Sequence, residues 1–167
     1  DAVVLLSRHL KAEEEAKNYE PAEDEIYPDN NDPYYAGFLG WATANGYFEG
    51  YPNGNFKPRE SILVQEFALV LLRALEYGDT EWKSVMDKAK ELGILEGVKE
   101  ADANAAILRE DVATMIFNAL GVEMKEEGIT LAEFLGIDMP EEPKPEKLEV
   151  VEVYTENLAE VVVELSN

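Results

Sequence analysis

The residues best placed for recognition chemistry lie in one stretch, GYFEGYPNGNFKP, residues 46–58. Tyr51 and Phe56 stand there beside Pro52, Asn53, Gly54 and Pro58. Asn53-Gly54 reads as a tight turn with positive φ, and the two prolines stiffen its arms. Both rings are then held on a pre-ordered surface. Flat aromatics beside hydrogen-bonding groups suit a sugar ring, which has apolar faces and a polar rim. Phe56 also has a plain structural reading, as a plug between the loop and the helices around it.

Catalytic chemistry is poorly represented, and we expect no enzyme. There is no Gly-x-Ser-x-Gly elbow, no phosphate loop and no His-Glu-x-x-His. The single histidine, His9, makes neither a triad nor a metal site. Acids are so abundant that some pair will stand at a hydrolase-like separation by chance. The lack of cysteine excludes disulfides and thiolate metal sites. Calcium comes into question at DNNDP (29–33) and EADAN (100–104), but neither has EF-hand spacing, so no cofactor is expected.

With 14 basic and 36 acidic side chains, the 167-residue chain has a formal charge of −22. That charge repels phosphate backbones and anionic lipid, so no nucleic-acid partner is expected. No apolar run approaches the roughly 18 residues of a membrane span. The chain opens at Asp1 in mid-helix pattern and reads as a mature or trimmed product, any export signal already removed.

The elements that must position the loop form a repeat. ANGYFEG (44–50) aligns with ELGILEG (91–97), and QEFALVLLRALEYG (65–78) aligns with EDVATMIFNALGVE (110–123). The opening DAVVLLSRHL falls on the same frame, with Arg8 and Leu10 matching Arg73 and Leu75. Each unit reads helix–loop–helix, and such pairs bury their apolar stripes only by stacking. The spacing places copy one at 1–20, with its first helix missing, copy two at 33–78 and copy three at 80–121.

In copy two the first helix has Asp32 as N-cap, Pro33 at its first position and Gly46 as its left-handed stop. Gly37 and Gly40 inside it suggest close packing by another backbone. The second helix starts near Ser61 and buries Val64, Phe67, Val70, Leu71 and Ala74. In copy three Trp82, Val85, Met86, Ala89 and Leu92 mark the first helix. Ile107, Val112, Met115, Ile116 and Ala119 mark the second, with Gly121 as its stop. Trp41 and Trp82 read from this spacing as core.

The acidic insert KAEEEAKNYEPAEDEIYPDNND between copies one and two reads as a surface excursion. Residues 122–147 read as a short helix, TLAEFLG, and a charged proline linker. LEVVEVY and AEVVVEL in 148–167 carry a hairpin pattern.

The copy-two unit, from YYAGFLGW through GYPNGNFKP to RAL, resembles the S-layer homology family over roughly residues 1–121. The resemblance implies a mainly all-α, pseudo-trimeric bundle with ligand grooves between modules. It implies a secreted protein of the cell wall or S-layer that anchors by binding wall polysaccharide, often through a pyruvylated amino sugar. The family's groove arginine maps to Arg109 in copy three, whereas Val64 stands at its position in copy two. Arg59 lies near that gap. The groove aromatic maps to Tyr34 or Tyr35 and to Trp82, and the groove glycines to Gly50 and Gly97. With Tyr51, Asn53 and Gly54 these are the expected polysaccharide-binding residues. The tail resembles the opening strands of immunoglobulin-like domains; it either begins a second β-domain or donates strands to a neighbouring subunit. The alternative function is a structural subunit that self-assembles into a surface layer or filament, its sugar site decayed.

Overall fold

A computed structural model describes residues 2–140 in full and the backbone of 150–157 and 160–165. Its helices are α1 (Ala2–His9), α2 (Glu13–Lys17), α3 (Pro33–Ala44), α4 (Val64–Ala74), α5 (Val85–Glu91), α6 (Arg109–Leu120) and α7 (Leu131–Leu135). Short 3-10 turns at Glu23–Glu25 and Trp82–Ser84 precede α3 and α5. β1 (Val150–Asn157) and β2 (Glu160–Leu165) pair antiparallel, with Val153 opposite Val163. The hairpin pattern of the tail is therefore present. These two strands do not themselves show an immunoglobulin-like domain.

The unit is mainly helical, and α1, α4 and α6 supply its interior. Leu6, Phe67, Leu71 and Met115 are fully buried in one continuous core. Each such side chain contributes about 1.5–3 kcal/mol over its exposed state. Each second helix then packs on the next first helix: α1 on α3, α4 on α5 and α6 on α7. His9 at the end of α1 is partly buried, its Nε2 has no partner, and burial lowers its pKa to about 4.

The same backbone hydrogen bonds recur in copies two and three. The glycine stop of α3 has φ 70° and that of α5 has φ 76°. In both, the next residue bonds back across the last turn, Tyr47 N–H to Ala42 O and Ile94 N–H to Ala89 O, each at 2.9 Å. Second helices clamp these ends. Arg73 donates to Tyr47 O and to Glu49, and at the equivalent place Asn118 donates to Ile94 O and Glu96 O.

A helix end like those of α3 and α5 recurs near the end of the helical unit. AEFLGI (132–137) repeats AKELGI (89–94). Gly136 has φ 60°, Gly136 N–H bonds Glu133 O, and Ile137 N–H bonds Ala132 O at 2.8 Å. Lys11, just past α1, donates to Leu135 O and Gly136 O at the end of α7, as Arg73 of α4 donates to Tyr47 O just after α3. Val122, Met124 and Leu131 are buried in the common core. Residues 122–136, which include the short helical piece, pack with the repeats, and the proline linker read at 141–147 lies outside the described residues.

The insert also differs from its reading as a surface excursion. A Cβ on Gly37 would lie 2.7 Å from Ala16 O, and one on Gly40 would lie 2.5 Å from Pro21 Cβ. The two glycines thus admit the insert against α3, and Ala16 and Tyr27 are buried there. Its acids stay outward while its few apolar residues dock.

Candidate carbohydrate-binding site

α3 begins as expected, with Pro33 at its first position and the Asp32 carboxylate accepting from Tyr34 N–H at 3.0 Å. It ends at Asn45 and delivers the chain into the aromatic loop. There Gly54 N–H bonds Tyr51 O and Tyr51 N–H bonds Asn55 O, both at 2.8 Å. Pro52 and Asn53 are therefore the corner residues. Positive φ falls on Gly54 alone, at 80°, and not on Asn53. Proline presets the first corner for a right-handed turn, which moves the left-handed residue one place on. Asn53 contributes instead through its side chain, which accepts from Asn55 N–H at 3.2 Å.

Phe56 is the plug. Its ring centroid lies 5.0 Å from that of Tyr27 and 5.8 Å from that of Phe48. The Asp29 carboxylate accepts from Phe56 N–H at 2.9 Å and Lys57 N–H at 2.7 Å. Burial pushes the Asp29 carboxyl up, but these N–H groups outweigh it and hold the group below its usual range. Gly50 faces Tyr27, and a Cβ there would sit 2.5 Å from the ring. The expected groove glycine is thus covered by an aromatic from the insert.

Tyr51 is different, being 39% exposed. Its hydroxyl donates to Glu66 Oε1 at 3.1 Å, and partial burial together with that carboxylate pushes the phenol up. Glu66 also accepts from Leu63 N–H at 2.8 Å at the start of α4. Lys57 has φ 62° and its Nζ stands 4.7 Å from the Tyr51 ring centroid, 3.0 Å from Glu60.

Copy three builds its loop otherwise. Gly97 is in the left-handed region at φ 70°, and a Cβ there would meet only Thr114 Cγ2, at 3.8 Å. Asp111, 1% exposed, accepts from Lys99 N–H at 2.8 Å and Glu100 N–H at 3.2 Å. Arg109, at the start of α6, is exposed.

The Val64 substitution has a packing cause. Val64 is fully buried, and its N–H bonds Ala105 O at 3.0 Å, while Leu63 bridges Ala106 antiparallel. The copy-three loop lies across the start of α4, which keeps residues 61–63 extended and begins the helix at Val64 rather than near Ser61. Gln65 Nε2 donates to Trp82 O there. Trp41 is core, but Trp82 is 52% exposed, because only its backbone is held and the 3-10 turn aims the ring outward. Tyr34 is also exposed, edge-on to the half-buried Tyr35 at 5.0 Å.

The expected residues therefore stand at the start of α3 (Tyr34, Tyr35), in the aromatic loop (Gly50, Tyr51, Asn53, Gly54) and in copy three (Trp82, Gly97, Arg109). Tyr27, Asp29 and Lys57 were missed by the sequence reading. Asp29 meets residues 27 and 28 positions onward, so no local spacing announces it. The acids weighed for calcium bond backbone: Glu100 accepts from Asp102 N–H and Asp102 from Asn104 N–H. Among the described residues no group of three or more His, Asp or Glu side chains could hold a metal ion. None of their helices is long and apolar enough to cross a membrane.

The segment that builds the aromatic loop, from Asp29 into α4, is also the segment that identifies it. Residues 29–68 match the S-layer homology domain. The S-layer homology region has relatives among surface proteins. The Middle cell wall protein of Brevibacillus brevis is 32% identical over 98 residues, 56% of this chain and 9% of that protein. Cell surface glycoprotein 1 of Acetivibrio thermocellus is 37% identical over 76 residues, 45% of this chain and 3% of that protein. The Surface layer protein of Brevibacillus choshinensis is 29% identical over 98 residues, 56% of this chain and 9% of that protein. The chain thus spans less than a tenth of these three relatives. No solved structure matches it.

Proposed function

We propose that the helical unit is a non-enzymatic module of a secreted surface protein, and that it anchors by binding cell-wall polysaccharide. The observation that carries this is the copy-two loop. It matches the S-layer homology pattern, and a carboxylate and two ring contacts fix it so that Tyr51 stays at the surface. A pre-ordered aromatic beside amide and carboxylate groups binds a sugar without an ordering cost. Arg109 supplies a guanidinium at copy three, the side chain best shaped to grip a carboxylate.

Sedimentation of the purified chain with wall polysaccharide from a surface-layer-bearing bacterium tests the reading. Wild-type binding weakened by Arg109→Ala and by Tyr51→Ala supports it. A wild type that stays in the supernatant and forms ordered arrays supports self-assembly instead. The likeness to the Surface layer protein of B. choshinensis is the observation that favours this second reading.

A further inference from the structure

We infer that Lys57 is the cation of the copy-two site and that, with Tyr51, it takes a carboxylate-bearing sugar. The inference rests on the polysaccharide-binding reading above. α4 offers no surface cation at the motif position, since Val64 is fully buried beneath the copy-three loop. Lys57 brings one to the aromatic loop by another route. Its ammonium stands 4.7 Å from the centroid of the exposed Tyr51 ring.

The backbone holds it there. Lys57 lies in the left-handed region at φ 62°, with its N–H on Asp29. Lys11 and Glu76 share that conformation, but each follows a helix end, where the closing turn requires it. Lys57 follows no helix. Glycine would fit its conformation without strain, yet a lysine occupies it.

The surroundings suit ligand exchange. Glu60, the present partner of Lys57, has a 64% exposed side chain, and such surface pairs are weak. A ligand carboxylate replaces Glu60 at the ammonium with little loss. Tyr51 stays fixed meanwhile, because its hydroxyl is tied to Glu66 at the start of α4. The apolar face of the sugar meets the part of the exposed ring that the ammonium leaves open, and its acid meets the ammonium over the ring.

The experiment compares the full chain with Lys57→Gly, Lys57→Arg and Glu60→Ala, by titration calorimetry against purified wall polysaccharide. The polysaccharide is used native and after carbodiimide reduction of its carboxyls to alcohols. Lys57→Gly is expected to bind the native form about tenfold more weakly, with a melting temperature equal to or above wild type. Lys57→Arg stays close to wild type, Glu60→Ala binds more tightly, and reduced polysaccharide abolishes the difference between wild type and Lys57→Gly. Equal binding of native polysaccharide by wild type and Lys57→Gly overturns the inference and leaves the anchoring reading standing. A wild type that binds neither form overturns the anchoring reading, and this inference with it.

Discussion

The loops of copies two and three fill the same place in the repeat and are held by different acids. In copy three, Asp111 of the second helix takes both loop N–H groups itself. In copy two that work passes to Asp29 of the insert, and the residue aligned with Asp111, Glu66, holds the Tyr51 hydroxyl instead. The glycines divide in the same way. Gly97 is needed for its backbone angle and Gly50 for the ring pressed against it. At the motif position one copy buries Val64 and the other exposes Arg109, because a following loop covers α4. A repeat frame therefore conserves hydrogen-bonding tasks more closely than the residues that perform them.

The largest effect should come from restoring the motif arginine. Val64→Arg places a cation under the copy-three loop and is expected to cost about 3–5 kcal/mol in urea unfolding. Arg109→Val should change stability by about 0.5 kcal/mol or less. A well-folded Val64→Arg protein would break the packing explanation. Asp111→Ala strands two part-buried loop N–H groups and should cost about 2 kcal/mol by the same measurement.

The glycines sharpen the contrast further. Gly50→Ala drives a methyl into Tyr27 and should cost about 2 kcal/mol, with part of the loss recovered in the double variant with Tyr27→Ala. Gly97→Ala meets no atom closer than 3.8 Å and should cost only about 1 kcal/mol, through its left-handed backbone. The same recovery by Tyr27→Ala in a Gly97→Ala background would contradict the division.

The smallest effect is the pH dependence of the copy-two loop. The folded pKa of Asp29 is lowered, so its stabilisation is complete above the ordinary carboxylate value near 4 and is lost as pH falls through the folded value. Protection of the Phe56 and Lys57 amides, relative to their intrinsic exchange, should fall as pH drops below the ordinary carboxylate value. Asp29→Asn should exchange faster at neutral pH and lose much of that acid response.

Much of the architecture was legible from local pattern. The cap at Asp32, the left-handed stop at Gly46, the stripes of α4 and α6 and the short α7 each depend on residues within one or two turns. The sugar-compatible composition of GYPNGNFKP was legible for the same reason. What periodicity could not place was the outward ring of Trp82, since a 3-10 turn breaks the helical spacing that marked it as core.

The sequence by itself determined the repeat, the helix ends and the aromatic loop, because helix periodicity, capping and turn chemistry act between near neighbours along the chain. Only the tertiary structure decided that Tyr27 fills the face of Gly50, that Asp29 holds the loop and that Lys11 reaches the end of α7. It also decided that position 64 is interior and position 109 is not. These outcomes depend on which distant segment covers each surface, and a side chain's burial is a property of what lies across from it rather than of its own neighbours in sequence.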